Sequence, residues 1–143
     1  MSREITKIGL AVLKENCLLL VRKRGSDFYI LPGGKPERGE DDISALAREI
    51  DEELGCHFEM HTLSYIGSFS DIAAGMSRTK ITVKLYLGEL VGEPTPTSEI
   101  DEVLWLDPSK AFATRLAPSL INSIIPHLFS SDAFGISGAR AHL

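Results

Sequence analysis

Residues 34–56 read GKPERGEDDISALAREIDEELGC, and this stretch decides how the rest of the chain is read. A Gly-Gly turn leads into a helix that is expected to start at Asp41 or Asp42, whose side chain can accept from the first free N–H groups. Ile43, Leu46, Ala47, Ile50 and Leu54 follow at spacings of three and four, so one face should pack on a sheet. Gly55 supplies the left-handed residue that closes such a helix. The same helix crowds Arg48, Glu49, Glu52 and Glu53 together. Carboxylates this close repel, and a fold tolerates them best when a cation sits among them. At 100° per residue, Glu49 and Glu53 lie about 40° apart and Glu52 about 60° beyond Glu49, toward solvent. Three carboxylates therefore share one side, next to the apolar face. Hard cations such as Mg²⁺ or Mn²⁺ take oxygen ligands of this kind. Arg48, a permanent cation with a fixed fork of donors, can orient a neighbouring carboxylate. The bare backbone of Gly33 and Gly34 brings a main-chain carbonyl within reach of the same ions.

Upstream of this stretch, Ile5–Leu13 and Cys17–Val21 are apolar runs separated by Lys14-Glu15-Asn16, the pattern of a hairpin. Phe28–Leu31 reads as a short third strand stopped by Pro32. Downstream, residues 58–69 read as a strand, 70–78 as a loop, and 79–91 as a strand alternating Ile81, Val83, Leu85 and Leu87 with polar partners. Residues 92–98, rich in proline, cannot be a central strand. Ile100–Leu106 gives a last strand, and Pro108 and the amphipathic run 120–129 give one or two short helices. This order predicts a mixed α/β fold, with a single domain over residues 1–130 and a frayed tail over 131–143.

With 143 residues, the chain can build a core without staples. The net charge of −5 excludes a protein that holds nucleic acid by phosphate attraction alone, but not one that reaches phosphates through divalent cations. Cys17 and Cys56 show no C-x-x-C pairing and read as buried free thiols of a reducing compartment. Apolar runs are too short to span a bilayer, and the start of the chain lacks a signal core, so a cytoplasmic protein without membrane partner is expected. His57 and His61 lack a third metal ligand and read as surface residues.

Gly34, Glu40, Arg48, Glu49, Ile50, Glu52, Glu53, Gly55 and Cys56 fill the spacing G-x5-E-x7-R-E-U-x-E-E-x-G-U, where U is bulky and apolar. This resembles the Nudix box of the Nudix hydrolases, with Cys56 standing where an aliphatic residue is usual. Chance assembly of its seven fixed identities has a probability on the order of 10⁻⁷. LPGGK before the box and EVLWLDP near Glu102 resemble the family's flanks.

The resemblance implies an α/β/α sandwich with a mixed sheet, and hydrolysis of a nucleoside diphosphate linked to another group, with Mg²⁺ or Mn²⁺. It makes Glu49, Glu52 and Glu53 the metal ligands beside a carbonyl of Gly33 or Gly34, with Arg48 in the catalytic set. The general base is Glu49 or a loop acid among Glu99, Asp101 and Glu102, of which Glu99 is favoured. Arg22, Arg24, Phe28 and Lys35 are the candidate substrate-binding residues. No substrate tag of the ADP-ribose, dinucleoside polyphosphate, coenzyme A or NADH hydrolases appears, and residues 70–74 read SDIAA. A MutT-like hydrolase is favoured, taking a (d)NTP or an oxidised (d)NTP to NMP and pyrophosphate. The alternatives are an ADP-ribose or sugar-nucleotide pyrophosphatase, and a nucleotide-sensing module without turnover. The partner is a small nucleotide rather than a nucleic-acid polymer. A homodimer is open, as many relatives dimerise.

Overall fold

A computed structural model describes residues 2–97 and 99–130. In chain order the strands are β1 (Arg3–Ala11), β2 (Leu13–Lys14), β3 (Cys17–Lys23), β4 (Tyr29–Ile30), β5 (Gly33–Gly34), β6 (His57–Phe58), β7 (Ser64–Ala73), β8 (Met76–Leu87), β9 (Leu90–Val91) and β10 (Ile100–Leu106). Helix α1 (Asp42–Leu54) lies between β5 and β6. The chain closes through a 3₁₀ segment (Pro108–Ala113), a π turn (Leu120–Ile124) and α2 (Ile125–Leu128).

Strand β3 shows why the chain folds in layers. Leu18, Leu19, Leu20 and Val21 are all fully buried, and successive side chains of a strand point to opposite faces. Both faces therefore need cover. Leu19 and Val21, with Ile8, Leu10 and Val12 of the first strand and its exit, meet Leu46, Ile50 and Leu54 of α1. Leu18 and Leu20, with Ala11, meet Leu120, Ile124 and Leu128 on the other side. Helices thus cover the strands from both sides, in an α/β/α sandwich.

One sheet runs in the order β5-β1-β8-β7, a second in the order β10-β3-β2 with β4 also on β3, and β6 pairs with β9 in a third of two strands. β1 and β8 pair in parallel from Arg3↔Thr79 to Ala11↔Leu87, whereas β5 and β7 join this sheet antiparallel, so it is mixed as expected.

Several expectations change in the folded chain. Residues 5–13 do not form one arm of a hairpin with β3. β1 leaves for β8, and only β2 turns back, through Glu15 and Asn16 at φ 52° and 65°. Local alternation could not reveal a parallel partner so distant in sequence. The run 58–69 is broken by a 3₁₀ turn at Met60–Thr62. Residues 70–78 are mostly strand: β7 and β8 close a hairpin at the Ala73↔Met76 pair, with Gly75 at φ 71° in its turn. Polar Ser70 and Asp71 suggested a loop, yet this part of the hairpin is largely exposed and needs few apolar side chains. On α1, Ile43 and Ala47 face outward, and Ala45, Leu46, Ile50, Glu53 and Leu54 are buried. The inward face is rotated toward the acidic residues. Cys56 is buried but Cys17 only half-buried. The expected tail, 131–143, lies outside the described residues.

Candidate active site

The acidic helix is fixed at both ends. Asp41 is the N-cap, its carboxylate accepting from the Ser44 N–H at 2.8 Å. At the other end Gly55, in the left-handed conformation, donates to the Asp51 carbonyl at 2.9 Å. The last carbonyls of a helix have no intrahelical partner, and here the proline-rich loop supplies donors. Thr95 N–H donates to the Leu54 carbonyl and Thr97 N–H to that of Glu53, each at 3.0 Å, and the Thr97 hydroxyl donates to the Glu52 carbonyl. The loop that leads to Glu99 is thereby tied to the turn that carries Glu52 and Glu53.

Gly33 and Gly34 let β5 lie between β1 and this helix. Gly33 has φ +143°, and a Cβ there would sit 2.0 Å from the Ile8 carbonyl oxygen. At Gly34 a Cβ would sit 2.4 Å from Glu49 Oε2. The missing side chain is the space that the Glu49 carboxylate occupies.

Glu53 is only 6% exposed, and its Oε1 accepts the Gly33 N–H at 3.0 Å. Burial raises its pKa to about 7. The Gly33 N–H and the Lys23 and Lys7 charges pull against that rise, while Glu49 adds to it. Lys7, half-buried on β1, is depressed to about 8, first by burial and then by Lys23, with Glu53 and Glu49 opposing. Glu49 and Glu53 thus meet where β5 and α1 pack, and Lys7 on β1 is near enough to feel both charges.

Arg48 fastens the outer side of this cluster. Its Nε and Nη2 donate to the two oxygens of Glu40 at 2.7 and 2.9 Å, a bidentate pair. Its Nη1 donates to Glu49 at 3.1 Å and to Glu52 at 3.4 Å, and Nη2 also donates to the Lys35 carbonyl at 3.1 Å. Arg48, helped by the Glu37 N–H, holds Glu40 well below the usual carboxylate range, at about 2. The guanidinium itself is raised, chiefly by Glu40. Glu52 is 56% exposed against 18% for Glu49, so the three box glutamates do not line up as equals: Glu52 leans to the arginine and solvent.

The remaining expected residues fall into two groups. Arg22 donates to Glu102 at 3.3 Å and lies 3.8 Å from Asp101, which also meets Arg24 at 3.7 Å. Arg22 on β3, Arg24 just beyond it, and Asp101 and Glu102 on β10 thus engage one another, so these two acids stand on a strand and not on a loop. Glu99 is exposed, and its carbonyl accepts the Arg24 N–H at 2.7 Å. Phe28 is half-buried with the Arg115 guanidinium 6.0 Å above its ring, and Lys35 is exposed at the end of β5. His57 and His61 are both exposed.

Sequence reasoning missed Lys7, Thr97 and Ser119. Lys7, with Leu31, Ile81, Ser119, Leu120 and Ile124, lines a cavity of about 50 Å³ against the C-terminal helical region. Ser119 is 4% exposed, and among the described residues its hydroxyl has no hydrogen-bond partner. The one available signal for Lys7 was its place between Ile5 and Gly9 in the alternation of β1.

Among the described residues, no three Asp, Glu, His or Cys side chains are gathered into a preformed cage for a metal. The donor chemistry nevertheless fits a hard divalent ion. Glu49 and Glu53 offer carboxylate oxygens beside a glycine whose Cβ would displace one of them, and such ions complete their shells with water and substrate phosphate.

The NUDIX domain model matches residues 5–128, and the chain belongs to the Nudix hydrolase family. It is 28% identical over 137 residues to a MutT-like protein of Streptomyces ambofaciens, covering 90% of this chain and 83% of that one. It is 31% identical over 126 residues to the m7GpppN-mRNA hydrolase of Saccharomyces cerevisiae, covering 82% of this chain but spanning only 13% of that relative's length. Among solved structures, the E. coli ORF135 protein superposes with a TM-score of 0.67 at 26% identity, over 99% of this chain and 96% of that one. A MutT NUDIX hydrolase from Burkholderia pseudomallei gives 0.63 at 25% identity, over 75% and 85%.

Proposed function

We propose that this chain is a Mg²⁺- or Mn²⁺-dependent pyrophosphohydrolase that converts a (d)NTP, or an oxidised (d)NTP, to NMP and pyrophosphate in the cytoplasm. The observation that carries this reading is the Glu49–Glu53 pair, one carboxylate seated on bare Gly34 and the other on the Gly33 N–H. Glu49 and Glu53 would hold the cation, with Glu52 at its outer side and a carbonyl of Gly33 or Gly34 next to it. When bound, the ion neutralises the bridging phosphates and acidifies a bound water. Arg48 keeps Glu49 turned to the site by holding one of its oxygens while Glu40 anchors the guanidinium.

In the reaction, water adds to one phosphorus, the bridging P–O bond breaks, and the water's proton passes to a carboxylate. Glu49, on the helix beside the proposed cation, and Glu99, exposed on the tethered loop, are the favoured acceptors, with Asp101 and Glu102, each in contact with Arg22, as the alternatives. Among the described residues no helix is long and apolar enough to cross a membrane, and the net charge of −5 disfavours a polymeric nucleic acid as substrate.

The test is a hydrolysis panel of common and oxidised nucleoside triphosphates, ADP-ribose and sugar nucleotides, with Mg²⁺ and with Mn²⁺, scored for pyrophosphate and phosphate. Pyrophosphate release from a triphosphate by wild type, lost in Glu53→Gln, is the expected result. Turnover confined to ADP-ribose or sugar nucleotides, or none at all, overturns the reading.

A further inference from the structure

The chain between β9 and β10 reads GEPTPTSE from Gly92 to Glu99. Proline has a fixed φ and no N–H, so Pro94 and Pro96 stiffen this stretch and leave Thr95 and Thr97 as the main-chain donors of residues 94–97. Both donate to the end of α1. Thr95 N–H bonds the Leu54 carbonyl and Thr97 N–H the Glu53 carbonyl, each at 3.0 Å. Any residue but proline could supply those two bonds. The bond from the Thr97 hydroxyl to the Glu52 carbonyl needs this side chain.

Thr97 also closes the turn that carries Glu99. Its carbonyl accepts the Ile100 N–H at 3.0 Å, and the Glu99 carbonyl accepts the Arg24 N–H at 2.7 Å, just beyond β3. One residue therefore joins the last turn of α1, with Glu52 and Glu53, to the turn with Glu99. A single hydrogen bond fixes a distance but leaves rotation about its own axis. Two bonds from one residue to adjacent carbonyls fix its orientation as well, and so set the direction in which the next turn leaves the helix. The Glu52 end of this contact is exposed, so water can answer that carbonyl if the hydroxyl is removed. Loss of the hydroxyl then falls on geometry more than on stability.

We propose that Thr97 is a positioning residue for hydrolysis: its hydroxyl, held by the Glu52 carbonyl, orients the turn of Glu99 and so sets where that carboxylate stands relative to Glu49 and Glu53. This rests on the reading above that the chain hydrolyses a nucleotide, with Glu99 taking the proton of the attacking water. In this role Thr97 acts through Glu99 and touches neither substrate nor cation. A general base must stand within hydrogen-bond reach of its water, and a misplacement of about 1 Å can cost on the order of 100-fold in rate. The competing role is a steadying of Glu52 and Glu53 themselves, which would act on the cation.

Thr97→Val keeps the shape and the N–H but loses the hydroxyl, whereas Thr97→Ser keeps the hydroxyl. On the best substrate of the hydrolysis panel, well below the melting temperature, Thr97→Val should lower kcat by about 10-fold or more. KM and the metal concentration for half-maximal rate should not move, and Thr97→Ser should recover most of the loss. In a Glu99→Gln background, Thr97→Val should cost less than about twofold, because the group it positions is already gone. A full loss in that background, or a shifted metal response, assigns the hydroxyl to the Glu52 and Glu53 turn and overturns the proposal. Unchanged kcat in Thr97→Val, or full activity of Glu99→Gln, also overturns it. The tether is read without turnover by amide hydrogen exchange on the metal-free protein. Ile100 should exchange faster in Thr97→Val than in wild type or Thr97→Ser, and equal rates overturn the proposal. No turnover by wild type on any panel member defeats the hydrolase reading instead, and the exchange rates then still decide whether the hydroxyl holds the turn.

Discussion

Replacing Glu53 by glutamine should stabilise the metal-free protein at neutral and alkaline pH while removing its response to metal. Glu53 titrates at about 7 in the fold against 4.5 in an exposed chain, because burial disfavours its charged form. Below 4.5 both states carry the proton, and Glu53 costs the fold nothing. Between 4.5 and about 7 the unfolded chain releases a proton that the folded chain keeps, so stability falls as pH rises. Above about pH 8 both are ionised and the loss levels off at about 3 kcal/mol, taking 1.36 kcal/mol per pH unit of the gap. A glutamine in this place cannot ionise, and its carbonyl oxygen can still accept the Gly33 N–H. The assay is urea unfolding in EDTA at intervals from about pH 4.5 to 8.5, for wild type and E53Q, with the difference between the two isolating this one group. E53Q should match wild type at about pH 4.5 and exceed it by up to about 3 kcal/mol at about pH 8.5. Adding Mg²⁺ or Mn²⁺ should raise the wild-type midpoint and leave that of E53Q almost unmoved. A difference curve that stays flat with pH would refute the claim that Glu53 is held in a charge-disfavouring place.

Two further substitutions probe the geometry around that carboxylate. Gly34→Ala places a methyl group 2.4 Å from Glu49 Oε2, so the carboxylate must swing away. Turnover should drop by at least about tenfold, because a small misplacement of a catalytic group is enough for that, and the metal concentration for half-maximal rate should rise; an unchanged metal response removes Glu49 from the cation site. Arg48→Lys keeps the charge but loses the bidentate grip on Glu40 and the simultaneous bond to Glu49. Stability should fall by about 1–2 kcal/mol in denaturant titrations, with kcat falling more than KM rises; full activity would show that Glu49 needs no orienting partner.

The order of residues in 34–56 was enough to set the helix, its caps and its acidic side, because each depends on interactions within a few residues. Asp41 caps and Gly55 closes the helix where local signals put them. That Glu49 and Glu53 share one side of the helix also follows from helical spacing alone. Spacing could not say how far the helix is rotated. Ile43 and Ala47 fit the apolar pattern yet face out, while a carboxylate is buried in their stead, since the docking of α1 on β1 and β3 chooses the face.

The rest required distant parts of the chain to meet. The β1–β8 parallel pair and the β7–β8 hairpin set the sheet, and neither has a local signature that outweighs polar side chains on an exposed ribbon. The same is true at the site. Thr95 and Thr97 looked like loop residues and became the cap of the acidic helix. Arg22, Asp101 and Glu102 meet across β3 and β10, and Arg24 reaches Asp101, contacts that no local pattern announces. The chain alone therefore determined the chemistry that one helix can carry, because ligand spacing is a local property of that helix. Which charges stay unanswered beside it is decided only by tertiary packing, because burial and pairing depend on residues far apart in sequence.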